Sequence, residues 1–551
     1  MNTRRGWVAV AVVVAVAVFS GGSLMQSQAA DQISRSTLFD LVHRYVAERF
    51  VDEVDPDSLY ELAIDGLLAE LGDPYAAYIR GGDDGTLLSN NYGGVGMRVL
   101  AGEDGISILG VIPNSPSSLL DLRKMDRIVE VEGNSTLGWS QSEAVSALRG
   151  IRGEPVDIAV RRDGVPDLLR MTVVRDAVHL DATRSVLLDG GVGYVRLEQF
   201  SRSSARELQQ AIDGLLARGA ESVVLDLRWN SGGILPEAVE IADLFLEHGS
   251  SVVETRGRDP QDNQKFIAPG PDRYPGLPMV VLVNGWSASA SEIVAGALQD
   301  FDRAVLLGSR TFGKGVMQSV FPLPGQRFLR LTTGTWYTPS GRSIHRAHDA
   351  EDGGGLGTDE FNQAVAEAVQ LGLADAPLRT PDAQADTAGQ QVFRTVGGRR
   401  VYGGGGIQPD LVMPPDTLTV PEQRLRAGMI EAQVSLETLS LRFAVDWVRA
   451  NPGIRPTEIT PELRRAFVEF VDRETNEAID PVILREGSGL MDYRLHSQLA
   501  SVAFDEEAGL KVLLARQAEV QEAASLLRDA RSPEQLIALA AVAKPTEVSG
   551  G

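Results

Sequence analysis

"PMVVLVNGWSASASEIVAGALQDF", residues 278–301, changes period halfway along. The first half is a continuous apolar run of strand length, and the second half repeats its apolar residues at helical spacing. A glycine and three alternating serines, Ser287, Ser289 and Ser291, occupy the change. A strand with no polar face has to be covered on both sides, which predicts a sheet buried between layers of helices. The flanking sequence repeats this plan. "GVGYVRLEQF" (191–200), "SVVLDLRWN" (222–230) and "RAVLLGS" (303–309) read as strands, and "SARELQQAIDGLLARG" (204–219) and "LPEAVEIADLFLE" (235–247) as helices. The expected class is therefore α/β, with a layered core from 179 to 346.

Outside that core the pattern changes. "TLFDLVHRYVAERF" and "DPDSLYELAIDGLLAEL" predict two helices within 31–88, the second opening on an Asp-Pro cap. From 89 to 178 short alternating strands with glycine turns ("GISILGVI", "DRIVEVEG", "VDIAVRRDG") surround one helix, "SQSEAVSALRG". They predict a compact β module. Residues 347–390 are rich in glycine and aspartate and read as a surface insertion. The core resumes over 391–415, and 416–551 is helical by spacing. At the start, Arg4 and Arg5 precede an apolar run from Trp7 to Phe19 and then small residues to Ala30. Residues 1–30 therefore read as an export signal or a retained membrane anchor, placing the remainder in the periplasm or cell envelope.

Composition narrows the chemistry. A net charge of -23 opposes binding to a phosphate backbone, so no nucleic acid is expected. With no cysteine there is no disulfide or thiolate site. No histidines pair at ligand spacing, so no metal and no other cofactor is expected.

The serine cluster is where an exposed nucleophile would sit, because a tight strand-to-helix turn lifts a side chain toward unpaired helical N–H groups. The same residues also fit a helix cap, since Ser289 and Glu292 have capping-box spacing. None of the six histidines occupies a comparable strand end, so a serine–histidine–acid triad has little support. Lysine is equally scarce, with five in the chain, and Lys314 stands between two glycines just after a strand. An amine becomes a general base only when its pKa falls toward neutrality, which burial can achieve. Gln318, four residues on, is either an aid to that lysine or a polar residue on a strand. Gly232 and Gly233 form either an oxyanion-binding loop or an ordinary strand–helix turn. The Gly94, Val95, Gly96 and Met97 stretch offers backbone N–H groups to a peptide's terminal carboxylate.

Taken in order, "LGDPYAAY" (71–78), "YGGVGM" (92–97), "VIPNSPS" (111–117), "VVLDLRWNSGG" (223–233), "VNGWSASASEIVAGALQD" (283–300), "GSRTFGKGVMQ" (308–318), "TPSGRSI" (338–344) and "GGGGIQPD" (403–410) resemble the carboxyl-terminal processing peptidases. The resemblance implies a crotonase-like peptidase core with a PDZ domain in line. It also implies Ser289 as nucleophile, Lys314 as base, Gln318 as its helper, and the backbone N–H of Ala290 with that of Gly232 or Gly233 as oxyanion hole. Ser287 and Ser291 would be structural. The substrates implied are proteins with accessible C-termini, and an adaptor, a homo-oligomer and N-terminal membrane attachment fit the same reading. Two alternatives stay open, an inactive PDZ scaffold and a non-peptidase acyl hydrolase. One departure stands out: Leu120, Asp121 and Leu122 replace the usual glycine-bearing turn of the PDZ segment.

Overall fold

The computed structural model describes residues 35–80, 91–102, 104–346, 390–414, 418–432, 434–456 and 458–543. The expected leader, and the insertion apart from Gln390, lie outside the described residues. The chain divides into two compact units, one ending at Tyr78 and the other starting at Ile79.

The first unit holds the two expected helices, α1 (Arg35–Arg49) and α2 (Pro56–Ala69). Asp55 caps α2 by accepting from the Ser58 N–H at 3.0 Å, with Pro56 in the first turn. His43 of α1 stacks on Tyr60 of α2 with centroids 3.9 Å apart. Of the residues in these two helices only Leu68 is buried.

The second unit opens with the β module: β1 (Asn91–Gly94), β2 (Met97–Gly102), β3 (Gly105–Val111), β4 (Arg127–Val131), α3 (Gln141–Leu148), β5 (Pro155–Arg161), β6 (Leu169–Val174) and β7 (Asp176–His179). Strands β2-β3-β4-β5-β6 pair antiparallel in that order, and β1 pairs with β7. Ile106, Ile108, Ile128, Val156 and Val160 fill the core beneath α3. The unusual turn resolves simply. Leu122 enters this core, while Asp121 points outward into ion pairs with Arg123 and Arg162.

The layered core contains β8 (Thr183–Leu188), β9 (Val192–Leu197), α4 (Ser204–Ala217), β10 (Ser222–Asp226), α5 (Leu235–Asp243), β11 (Ser251–Gly257), β12 (Gln264–Ile267), β13 (Met279–Val283), α6 (Ala290–Asp300), β14 (Val305–Gly308), β15 (Val316–Leu323) and β16 (Arg327–Tyr337). After the insertion come β17 (Val392–Arg394), β18 (Arg400–Tyr402) and β19 (Leu411–Val412). Six strands form the main sheet in the order β8-β9-β10-β13-β14-β19, parallel except for the β8–β9 pair. A second sheet runs β15-β16-β11-β12.

Alternation explains why the central strands carry no polar face. Val223, Leu225, Val281 and Val283 point to the side covered by α4, α5 and α6. Val224, Val280 and Leu282 point to the other side. That second face is covered from the far end of the chain by Leu514 of α12 (Glu506–Arg516), Val520, Ala523 and Leu527 of α13 (Ala518–Asp529) and Leu536 of α14 (Pro533–Val542). The earlier helices, α7 (Val420–Glu431), α8 (Leu436–Ala450), α9 (Pro461–Glu474), α10 (Pro481–Glu486) and α11 (Ser488–Ala503), build a separate apolar cluster. Leu100, Leu109 and Met125 of the β module pack against it. No helix among the described residues is long and apolar enough to cross a membrane.

Candidate active site

Three neighbouring parallel strands, β10, β13 and β14, end at the same edge of the main sheet. The loops leaving them carry Gly232–Gly233, Ser289 and Lys314, so the topology alone brings together three segments that are remote in sequence. The carboxyl edge of parallel strands is where α/β proteins place their ligands.

Ser289 immediately precedes α6 with φ 54° and ψ -112°, a left-handed conformation that a serine adopts only when its surroundings enforce it. Its neighbours supply the enforcement. Ser287 Oγ donates to the Leu227 carbonyl at 2.8 Å and accepts from the Asn284 N–H at 3.0 Å. Ser291 Oγ donates to the Asn230 carbonyl at 2.8 Å, and the Ala288 N–H reaches the same carbonyl. The outer two serines thus bind this turn to the loop after β10. The Ser289 hydroxyl is half-buried.

Glu292 is the part of the site that its spacing only half disclosed. Its Oε2 accepts from the Ser289 N–H at 2.9 Å, which is one arm of the capping box. The same oxygen accepts from the Lys314 N–H at 2.9 Å, and Oε1 accepts from the Gly313 N–H at 2.7 Å and the Thr311 hydroxyl at 2.5 Å. One carboxylate therefore holds the serine turn and the lysine loop two hydrogen-bond lengths apart. It is fully buried. Burial pushes its carboxyl above the usual range, and the four donors offset only part of that rise.

Lys314 lies where the chain leaves the main sheet for the second one, and it is buried. Its carbonyl accepts from the Trp336 indole at 3.2 Å, and the Phe312 N–H donates to the Ser287 carbonyl at 3.1 Å. The flanking glycines are required by close approach. A Cβ on Gly315 would meet His345 N at 2.7 Å, and one on Gly313 would meet Gly406 N at 3.0 Å. Gln318 sits on β15 at a bulge opposite β16.

The glycine loop touches the serine directly. A Cβ on Gly232, at φ +100°, would lie 2.9 Å from Ser289 Cβ and 2.9 Å from Ala290 N. The Gly232 N–H is donated to Asn230 Oδ1 at 2.9 Å. Asn284 Oδ1 accepts from both the Trp229 and Trp286 N–H groups, and the two indoles stack at 5.4 Å. Behind the loop, Asp226 and Arg228 pair in the interior, and Arg228 reaches Glu519 of α13. Burial pushes the Asp226 carboxyl up, but the Arg228 and Arg196 guanidiniums and the Tyr194 hydroxyl together outweigh it and hold the group below the ordinary range.

In the β module, the carbonyls of Val95 and Gly96, between β1 and β2, are taken up by hydrogen bonds within the module. Ser117 Oγ donates to the Val95 carbonyl at 2.5 Å, and Ser115 Oγ and the Ile112 N–H donate to the Gly96 carbonyl at 3.1 and 2.9 Å. Gly96 has φ +77°, and a Cβ there would lie 2.1 Å from Ser115 Cβ.

Among the described residues, His179, Asp181 and Glu207 gather possible ligand atoms within 4.8 Å of one another. Spacing along the chain gives no sign of this group, because it is assembled across the fold. Glu207 uses its oxygens on His179 Nε2 at 2.7 Å and the Ala182 N–H at 2.5 Å, joining the end of β7 to α4.

The chain is 37% identical over 313 residues to the "Carboxy-terminal-processing protease" of Bartonella bacilliformis, covering 56% of this chain and 71% of that protein. The chain belongs to the carboxy-terminal processing peptidases. The peptidase family S41 profile matches residues 191–352, the PDZ domain profile 86–161, and that of the activating protease CtpB N-terminal domain 17–81. The "Carboxy-terminal processing protease CtpA" of Bacillus subtilis is 30% identical over 326 residues, covering 59% of this chain and 69% of that one. A solved structure, the "photosystem II D1 C-terminal processing protease", is 28% identical with a TM-score of 0.32, covering 57% of this chain and 91% of the other. As a family S41 member the protein is a serine-type, C-terminal processing peptidase with a PDZ domain.

Proposed function

We propose that this peptidase cleaves proteins near their C-termini with Ser289 as nucleophile and Lys314 as general base. The observation that carries the proposal is the single Glu292 oxygen that accepts from the backbone amides of both residues. Neutral Lys314 takes the Ser289 proton as the hydroxyl oxygen attacks the scissile carbonyl. The amine then protonates the departing amino group, and water activated by the same amine releases the acyl-enzyme. Gln318 orients the lysine. The developing oxyanion is met at the start of α6 by the Ala290 N–H, helped by the helix dipole. The second donor comes from the glycine loop, and Gly233 supplies it while the Gly232 N–H stays on Asn230.

Substrates enter by their C-termini. The Gly94–Met97 loop receives the terminal carboxylate on outward-facing N–H groups while the peptide lies along β2. With residues 1–30 as an export signal or anchor, the enzyme works in the cell envelope, processing precursors or removing misfolded proteins.

Ser289→Ala and Lys314→Ala test the mechanism. Both should fold and lose at least about 10³-fold in turnover of a peptide ending in a free carboxylate. Near-normal turnover by either variant rejects the dyad. Cleavage of simple esters without peptides would favour an acyl hydrolase, and peptide binding without labelling by a fluorophosphonate would favour a scaffold.

A further inference from the structure

The N-terminal end of α3 contains a contact that the peptide-binding reading leaves unused. Ser140 caps the helix in a complete capping box, with the Glu143 N–H on Ser140 Oγ at 3.3 Å and Glu143 Oε2 on the Ser140 N–H at 2.8 Å. The first turn is therefore fixed. From it the Gln141 side chain crosses to β2, where its Oε1 accepts from the Ala101 N–H at 2.9 Å and its Nε2 donates to the Val99 carbonyl at 3.0 Å.

Strand β2 is the outermost strand of its sheet and pairs with β3 alone. The Val99 carbonyl and Ala101 N–H thus belong to the edge along which an added strand would pair. A peptide whose carboxylate sits in the loop before β2 must run antiparallel to β2. Its last residue then lies beside Met97, its third-from-last beside Val99 and its fifth-from-last beside Ala101, because alternate residues face the same edge. Gln141 places a carboxamide, one donor and one acceptor, on the backbone atoms that the third and fifth of these residues need.

We propose that Gln141 is a built-in occupant of the peptide groove, a side-chain substitute for ligand backbone that must swing out before a substrate tail can pair beyond its last two residues. The inference rests on the reading of this groove as the C-terminal peptide site. Its consequence is a rule about length. In the native protein, extending a bound tail past two residues exchanges hydrogen bonds with Gln141 instead of adding new ones. Affinity then resides mainly in the terminal carboxylate and the last two side chains, and tails of very different upstream sequence are accepted. Gln141 is exposed, so the plug is weak enough for a ligand to displace.

The test uses the full chain carrying S289A, so that nothing is cleaved, with and without Q141A. The probe is a fluorescein-labelled hexapeptide, Gly-Ser-Gly-Ala-Leu-Val with a free carboxylate. Its apolar end suits the Val95, Met97 and Leu148 side chains beneath the groove. Binding is read by anisotropy, with N-acetyl-Leu-Val as competitor. Removing two neutral hydrogen bonds from the unliganded state should tighten the hexapeptide about three- to tenfold. The dipeptide, whose acetyl cap has no N–H to offer the Val99 carbonyl, should bind both proteins equally. Amide hydrogen exchange at Ala101 should accelerate in the unliganded Q141A protein. An unchanged or weakened hexapeptide affinity, or an equal gain for the dipeptide, overturns the plug while leaving the groove intact. If the C-terminal amide of the hexapeptide binds the S289A protein as tightly as the free acid, the groove reading itself fails.

Discussion

Removing the Glu292 carboxylate should dismantle the site without touching either side chain of the proposed dyad. The group is fully buried and serves three backbone amides and the Thr311 hydroxyl. In Glu292→Ala all four donors lose their acceptor, and each stranded buried donor costs about 1–3 kcal/mol. Water entering the vacated space can serve some of them, so a net loss of about 4–6 kcal/mol is expected, a large share of a typical folding stability. Glu292→Gln keeps the volume and one oxygen. Thr311 Oγ1 already accepts from the Ile407 N–H and can also accept from the new NH2. The amide therefore turns its nitrogen toward Thr311 and its oxygen toward Ser289 and Lys314. The Gly313 N–H and the Thr311 hydroxyl proton are then stranded, at about 1–3 kcal/mol each. The two variants should separate in kinetics as well. With the serine turn and lysine loop released, a displacement of about 1 Å costs on the order of 10²-fold in kcat, so Glu292→Ala should lose at least that much. Glu292→Gln should stay within about tenfold of the native rate. The assay is steady-state peptide hydrolysis with fluorophosphonate labelling of Ser289, beside urea unfolding of each variant. A folded Glu292→Ala protein with native kcat and native labelling would refute the reasoning.

Two further outcomes follow from the same loops. Gly232→Ala puts a methyl group 2.7 Å from the Ala288 carbonyl at a backbone angle that alanine resists; turnover should fall about 10²-fold, with hexapeptide binding at the β module unchanged. Asp226→Asn leaves Arg228 buried beside Glu519 alone and should cost about 3–5 kcal/mol at neutral pH, read from urea midpoints. Because Asp226 is held below its ordinary pKa, its contribution is complete above the unfolded value of about 4 and is lost as pH falls through the lower folded value. The gap between native and variant should therefore be level from pH 5 to 7 and narrow below about 4, and a gap that widens on acidification would contradict the pairing.

The layered core was readable because the physics that builds it is local. Strands such as Met279–Val283 have no polar face, and that pattern has few solutions other than burial between helices. What covers the second face was not readable, because α13 and α14 show only that they are amphipathic and not which sheet they meet. At the site, the serine turn carries a local signature of strand end, turn and helix start, and the glycine-flanked lysine one of strand end and turn. Glu292 was visible as a capping partner of Ser289, but its hold on Gly313 and Lys314 depends on β13 and β14 being neighbours, which no spacing records. The Asp226–Arg228–Glu519 chain and the His179–Glu207 contact escaped notice for the same reason, since each joins residues that only the fold brings together.

Among the described residues, the β module is held to the rest of its unit on two sides, one where His179 of β7 meets Glu207 of α4 and one where Arg98 of β2 pairs with Glu506 of α12. On the first side the chain itself passes from β7 into β8, and on the second Leu100, Leu109 and Met125 lean on the α7–α11 cluster while Lys124 Nζ donates to the Ser501 carbonyl at 2.8 Å. A lever with one pivot turns freely, whereas a lever with a pivot and a stay does not. Three partly buried side chains at about 1–2 kcal/mol apiece make that stay worth about 3–6 kcal/mol. This is near the ~5.5 kcal/mol of differential affinity that inverts a 1:99 population. Any ligand that moved the module would therefore have to spend much of its own grip on loosening that stay.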